Sequence, residues 1–142
     1  MATACYSGTP LPKKLGINAG CHLALIDAPP RFDETLGIDP PEPEFPTDVA
    51  VHDDVAAHRD VVVFFTTERA RFEAAIAELE ASIFPAGGLW IAWPKKASKL
   101  ETDLDFAAVQ EAGLSAGLVD NKSCAIDDDW QALRFVFRLA DR

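Results

Sequence analysis

The sequence lacks any apolar run long enough to cross a membrane. A membrane-spanning helix requires about 20 mostly apolar residues, and the run from His22 to Ala28 is interrupted by Asp27. The first 20 residues do not resemble a signal peptide either, because Lys13 and Lys14 follow rather than precede the apolar residues there. We therefore expect a soluble protein without a membrane partner.

Cysteines are few and odd in number. Cys5, Cys21 and Cys124 are widely spaced along 142 residues, which argues against a disulfide framework and favours reduced thiols. The predicted location is the cytoplasm, and the predicted host is bacterial.

Clustered cations are also missing. The chain has 13 Lys and Arg residues against 23 Asp and Glu residues, for a net charge of −10. Residues 32–60 alone hold nine acids against Arg59. Because phosphate backbones are bound by clusters of Lys and Arg, we expect no nucleic-acid partner. A local anion site at Lys95, Lys96 and Lys99 is still allowed.

The familiar phosphate-binding loops are absent. No GxGxxG follows the first predicted strand, where IDAPPRF stands instead, and no GxxxxGK[ST] occurs. Prolines 29 and 30 remove amide donors from the turn that would hold a pyrophosphate. A dinucleotide site of the standard type is therefore not expected.

No residues form a recognisable catalytic or metal-binding pattern. Cys21 and His22 are neighbours in a predicted strand and point to opposite faces, and nothing near His52 or His58 has ligand spacing. Cys124 has no paired histidine that the sequence identifies. We predict no catalytic residues, no metal ligands and no resident cofactor.

The patterns that are present predict an α/β domain. Short apolar runs predict buried strands at residues 21–28, 60–66 and 89–93, and a weak edge strand at 47–52. An amphipathic helix, with Thr67 as its N-cap, should connect 60–66 to 89–93, and a second helix should start at a Thr102 to Asp105 capping signature. Runs at 117–126 and 131–139 predict a final hairpin.

The predicted fold class is a three-layer, Rossmann-like α/β domain, with a mainly parallel sheet that ends in an antiparallel hairpin. We expect one domain over residues 1–142. It should begin with an N-terminal arm at residues 1–20, and it should carry an exposed, acidic, proline-rich loop at residues 38–47.

A parallel sheet binds ligands at the carboxyl ends of its strands, near the point where the strand order reverses. At this edge we expect Asp27 at the end of the first buried strand, Thr66 and Thr67 at the end of the second, and Lys95 and Lys96 after the third. Trp93 lies close to this edge, and Lys122 is a further candidate for an anion. The alternative for the two adjacent lysines is an ordinary solvated surface turn. The candidate ligand-binding residues are Asp27, Thr66, Thr67, Trp93, Lys95, Lys96 and Lys122.

Two long blocks are familiar together. One lies near the start of the chain, YSGTPLPKKLGINAG, and the other in its last third, GGLWIAWPKKASKLETDL followed by GLVDNKSCAIDDDWQALRFVFR. They resemble a family of small bacterial proteins classed as a domain of unknown function. This resemblance implies no established activity.

A more distant similarity is to the core of methyltransferases that use S-adenosylmethionine. The segment FPAGGLWIAW after an amphipathic helix looks like their strand-opening segment, and a final hairpin is also how they finish the sheet. Asp27-Ala28-Pro29-Pro30 replaces their glycine-rich motif. The similarity implies a Rossmann-like fold and S-adenosylmethionine as one possible cofactor.

Three functions are compatible with these patterns. The leading hypothesis is a non-catalytic binding or regulatory domain, with a vestigial ligand crevice at the strand ends that takes a small anion. The second is a small methyltransferase-like transferase that acts on an anionic substrate or cofactor. The third is a structural protein that associates with itself through the hairpin as a homo-oligomer.

Overall fold

A computed structural model describes residues 9–142 of the chain. Its strands are β1 (His22–Ile26), β2 (Ala50–His52), β3 (Val61–Phe65), β4 (Gly88–Pro94), β5 (Leu118–Ala125) and β6 (Trp130–Phe137). Its helices are α1 (Leu11–Lys14), α2 (Phe32–Leu36), α3 (Arg69–Ile83) and α4 (Phe106–Ser115), followed by a 3-10 turn at Leu139–Asp141. None of the helices in this part of the chain has the length and apolar character that a bilayer crossing requires.

The six strands form one mixed sheet in the order β2-β1-β3-β4-β6-β5. β1 pairs in parallel with β2 and β3, and β3 pairs in parallel with β4. β6 runs antiparallel to both β4 and β5. The α/β class, the mainly parallel sheet and the terminal antiparallel hairpin are therefore confirmed.

Apolar side chains pack against both faces of the sheet. On the first face, Val63 and Trp90 join Phe32 and Leu36 of α2. On the second face, which we call the α3/α4 face, Phe64 and Leu133 join residues of the two long helices such as Phe72 and Val109. β3 and β4 are buried along their whole length because side chains alternate between these two cores.

A tryptophan connects the segment after α1 to the centre of the sheet. The indole N–H of Trp90 donates a hydrogen bond to the backbone oxygen of Leu15 at 2.9 Å, and both residues are buried. The predicted N-terminal arm thus includes a helical turn and a core contact. Residues 1–8 of that arm lie outside the described part of the chain.

The acidic segment at residues 38–47 consists of turns. Most of its residues are exposed, but Ile38 and Phe45 are partly buried against the core of the first face. The loop is therefore anchored by two apolar side chains while its acids face the solvent.

Both long helices start at residues other than the predicted caps. The N-cap of α3 is Glu68, which makes no side-chain cap, and not Thr67. The Thr66 hydroxyl accepts the N–H of Glu68 at 3.1 Å, and this local turn delays the helix. The N-cap of α4 is Asp105, which accepts the N–H of Ala108 at 2.8 Å, and not Thr102.

Two glycines allow close approaches that a side chain would prevent. A Cβ atom at Gly87 would lie 2.5 Å from the backbone oxygen of Arg59, next to the start of β3. A Cβ atom at Gly113 would overlap the ring of Phe135, so α4 lies directly on β6. These positions fix the spacing between the sheet and its neighbours.

Candidate functional site

The carboxyl ends of the parallel strands meet at one edge of the sheet. The strand order reverses between β1 and β3, because β2 lies on one side of β1 and β3 lies on the other. Asp27, Thr66 and Lys95 follow β1, β3 and β4 respectively. This edge is where a ligand is expected in an open parallel sheet.

The Asp27 carboxylate is engaged by a residue of the chain itself. The guanidinium of Arg71, on α3, forms an ion pair with Asp27, and Nε of Arg71 donates to Oδ2 at 3.1 Å. Asp27 adopts a left-handed backbone conformation with φ of 58°, which aspartate tolerates better than most residues. Asp27 lies at the switch point, which is the place between β1 and β3 where the strand order reverses. The side chain that was predicted to receive a ligand there therefore already has a partner.

The start of α3 is covered by the loop that leads to α4. The backbone oxygen of Thr67 accepts the hydroxyl of Thr102 at 2.6 Å and the N–H of Asp103 at 3.3 Å. The Asp103 carboxylate accepts the N–H of Arg69 at 2.7 Å. Because a carboxylate already occupies this helix terminus, the amides after Thr66 and Thr67 do not form an open anion site.

An open groove lies beside this loop, at the end of β4. It has a volume of about 1410 Å³. Its walls come from β4, the loop 95–105, the first residues of α4 and the facing part of the hairpin. Trp93 pairs with Gln131 of β6, which in turn pairs with Ala125 of β5, and all three residues line the groove.

The groove combines two cations with apolar surface. Lys95 is partly buried and Lys96 is exposed, and both line the groove. Leu100 and Phe106 line it as well and expose 45% and 46% of their surface. Trp93 is only 2% exposed and meets Phe106 edge to face, with ring centroids 6.4 Å apart, so it supports the wall rather than covering it.

The acids near the lysines are mostly engaged with backbone amides. Asp103 and Asp105 accept the amide hydrogen bonds at the starts of α3 and α4. Glu101 is the third acidic residue in the groove and is exposed. The groove therefore holds Lys95 and Lys96 against three carboxylates, two of which already accept backbone amides.

The predicted site residues fall into three places. Trp93, Lys95 and Lys96 are brought together in the groove. Asp27 and the pair Thr66 and Thr67 lie at the switch point, in the contacts described above. Lys122 lies on the edge strand β5 and does not line the groove. The pairing of β5 with β6 shifts register between Asp120 and Lys122.

Leu100, Phe106 and Gln131 also line the groove, and the sequence did not predict them. The signal for Leu100 and Phe106 was their position on either side of the capping segment that follows the lysines. Gln131 had no local signal, because it reaches the groove only through the antiparallel pairing of β6 with β4.

Groups with shifted pKa values lie outside this groove. Burial raises the pKa of the Cys21 thiol and of the Glu80 carboxyl. Burial, and then the charge of Arg142, lowers the pKa of the Arg134 guanidinium. Each of these shifts follows mainly from packing against the sheet or helices.

These features define an α/β domain with a mixed six-stranded sheet and an open groove at the end of its last parallel strand. Residues 44–139 match the family described as protein of unknown function (DUF3052), and the chain belongs to that family. This confirms the predicted membership of a domain-of-unknown-function family. The matched span includes β2 through β6 but not β1. No curated protein matches the chain.

Proposed function

We propose that the protein is a non-catalytic binding or regulatory domain that holds a small anionic ligand in the groove beside β4. Lys95 and Lys96 supply the positive charge, and Trp93 forms the supporting wall. The observation that carries this proposal is the position of both lysines on an open groove with exposed apolar residues at the carboxyl end of a parallel strand.

The switch-point half of the edge is the vestigial part of the crevice. Asp27 is paired with Arg71, and the start of α3 is capped by Asp103. A ligand there would have to displace hydrogen bonds that already satisfy these groups. The groove requires no such exchange, and this supports binding at the lysines.

The experiment is a thermal-shift screen of the full chain with phosphate, nucleotides, sugar phosphates and S-adenosylmethionine, followed by calorimetry on any compound that stabilises it. Lys95→Ala combined with Lys96→Ala should weaken binding at least about tenfold, since charge-assisted contacts contribute about 1.5–3 kcal/mol. Lys122→Ala is the matched control and should bind as the wild type does. Flat responses across the panel, or equal binding by the double variant, would refute the proposal.

A methyltransferase-like transferase is the second candidate. The observation that favours it is β6, which runs antiparallel between β4 and β5, the type of sheet ending that the methyltransferase resemblance implies. This arrangement also supports a Rossmann-like, three-layer description of the fold. Binding of S-adenosylmethionine in the same screen, followed by transfer of its methyl group to an added substrate, would favour the transferase over the binding domain.

Self-association through the hairpin and a cytoplasmic location remain proposals. β5 forms one edge of the sheet, so its outer backbone groups are available for pairing. Asn121 at the register shift and the exposed Lys122 oppose this pairing, because bulges and edge lysines disfavour strand addition. We therefore rank self-association below ligand binding.

A further inference from the structure

We propose that His22 and His52 form a binding site for a divalent transition-metal ion of the zinc and copper class. The two histidines are 30 positions apart in the sequence; His22 begins β1, at the end of that strand away from the lysine groove, and His52 is the last residue of the short strand β2. The inference is independent of the anion proposal, since it uses other residues and another ligand.

The parallel register of β1 and β2 brings the two rings together. His22 pairs with Ala50, and Ala24 pairs with His52, so the histidines are diagonal neighbours on adjacent strands. Their ring centroids are 5.3 Å apart and their planes are inclined by 19°, so the rings lie nearly edge to edge in one plane. Nδ1 of His22 lies 3.1 Å from Nε2 of His52.

This nitrogen separation fits two ligands of one metal ion. Two imidazole nitrogens, each about 2.0–2.1 Å from a tetrahedral zinc ion, are about 3.3–3.4 Å apart. The observed separation differs from this by roughly 0.2–0.3 Å, and each ring must also turn by roughly 35° so that the two lone pairs converge on the ion instead of facing each other. Without a metal one of these nitrogens donates to the other, so the donor ring must carry its proton on its other nitrogen when the ion binds.

The surroundings favour a cation. The Asp60 carboxylate accepts the backbone N–H of His22 at 2.8 Å, which places a negative charge beside the first histidine. Asp53 follows His52 directly, and residues 32–60 carry nine acids against one arginine. His22 is exposed and His52 is partly buried, so an ion has access from solvent.

The site has two protein ligands. Among residues 9–142, no three His, Cys, Asp or Glu side chains converge on one point. Water therefore completes the coordination, and binding is reversible. Neutral imidazole suits zinc, copper and nickel, whereas magnesium and calcium prefer oxygen ligands, so the proposed class excludes the latter two.

Bound metal should also stabilise the edge of the sheet. β2 has only three residues and pairs with β1 alone. A metal ion that bridges the two strands binds the folded chain and not the unfolded one, so it raises the midpoint of thermal unfolding.

The test uses untagged full-length protein titrated with ZnCl₂ by calorimetry, and with CuSO₄ by electron paramagnetic resonance. We expect one zinc ion per chain and a copper spectrum with two nitrogen ligands. His22→Asn and His52→Asn should each weaken zinc binding at least about tenfold and remove one nitrogen from the copper spectrum. The zinc-induced rise in the unfolding midpoint should disappear in both variants.

His58→Asn is the matched control. This third histidine lies in the same acidic region, is exposed and does not contact the pair, so the variant should bind zinc as the wild type does. Circular dichroism checks that each variant is folded; if either histidine variant unfolds, the copper spectrum of the wild type still reports the nitrogen count. No binding by the wild type, a one-nitrogen spectrum, or unchanged affinity in folded His22→Asn and His52→Asn would overturn the proposal.

Discussion

Trp90 and Trp93 show how two similar residues on one strand acquire different roles. Residues at an odd spacing on a strand point to opposite faces, and the structure places Trp90 in the core of the first face and Trp93 in the core of the α3/α4 face. Only Trp90 is hydrogen-bonded through its indole in the described chain, to the oxygen of Leu15. This hydrogen bond gives Trp90 a structural role that spacing alone does not reveal.

Trp90→Phe tests that hydrogen bond. The change removes the donor and leaves the buried oxygen of Leu15 without it, which costs about 1–3 kcal/mol in addition to the lost packing. Trp93→Phe is the control, because it removes a similar volume without that loss. Urea unfolding should show that Trp90→Phe is the more destabilised variant by about 1 kcal/mol or more. Equal destabilisation of the two variants would show that packing alone matters.

Glu80 should make stability depend on pH. Burial raises its pKa from the ordinary value of 4.5 in the folded chain. At a pH between the pKa of Glu80 in the unfolded chain and its higher pKa in the folded chain, the unfolded chain binds fewer protons. The contribution of Glu80 to the free energy of unfolding is therefore fully present below pH 4.5 and is lost as the pH rises through the pKa of the folded chain. At pH 7 the charged carboxylate therefore destabilises the fold.

Glu80→Gln should consequently raise stability at neutral pH by a few tenths of a kcal/mol, up to about 0.5 kcal/mol, and this gain should vanish near about pH 4. Urea unfolding at both pH values measures the difference. Glu78→Gln, at an exposed position of the same helix, is the control. A gain that is the same at both pH values would contradict the explanation by burial.

At the scale of single residues, local spacing predicted which face of a strand a side chain occupies. It did not predict contacts between residues that are far apart in the sequence. The opposite faces of the two tryptophans follow from strand alternation. The ion pair between Asp27 and Arg71 joins positions 44 residues apart. No local pattern contains such a partner, and it changes what Asp27 is available to do.

α4 packs closely against β6 at a glycine. Gly113 of α4 faces the ring of Phe135, which is fully buried. Alanine is favoured over glycine in a helix by about 1 kcal/mol, so an open site would become more stable on substitution. Because a Cβ atom at Gly113 overlaps the ring of Phe135, substitution by alanine should lower the stability instead.

Gly113→Ala should destabilise the protein by about 1–3 kcal/mol, because the added methyl group overpacks the core. Phe135→Leu in the same chain makes room for it, so the double variant should lose less than the sum of the two single changes. Thermal or urea unfolding of the four proteins gives this coupling. Additive losses would show that helix and strand do not meet as described.

The start of α3 depends on a carboxylate from another element. Asp103→Ala removes the acceptor of the Arg69 N–H and should cost about 0.5–2 kcal/mol. Glu101→Ala, at an exposed neighbouring position, should change stability by less than about 0.5 kcal/mol. Hydrogen exchange should also show faster exchange at Arg69 in the first variant only. Equal effects of both changes would contradict the capping role.

Element types were predictable, whereas the helix starts were not. Apolar runs and the amphipathic spacing of α3 predicted the order of strands and helices correctly. Thr67 and Thr102 looked like caps because capping rules consider only neighbours in the sequence. Instead, the hydroxyl of Thr102 donates to the backbone of Thr67, a contact that exists only after the loop folds over α3.

At the scale of the whole molecule, we expect a monomer. The net charge of −10 and the edge position of Lys122 both oppose association. Light scattering after size exclusion should give a mass near 15.4 kDa. A dimer that dissociates on substitution within β5 would instead support self-association through the hairpin.

The candidate site was predictable as an edge of the sheet but not as a groove. The rule for parallel strands selected the ends of β1, β3 and β4 as the candidate edge. It did not show which part of that edge is open, since this depends on Arg71 and Asp103 reaching across from other elements. The histidine pair was missed for a similar reason, because its geometry arises from the register between β1 and β2.

β1 occupies an interior position in the sheet, between β2 and β3, although it precedes the span that matches the family. A fragment restricted to residues 44–139 would leave β2 without its strand partner and would open one side of β3, whose five residues are all buried. An exposed, uncharged edge of this kind promotes aggregation. The matched span is therefore shorter than the unit that must be kept intact when this chain is shortened for laboratory work.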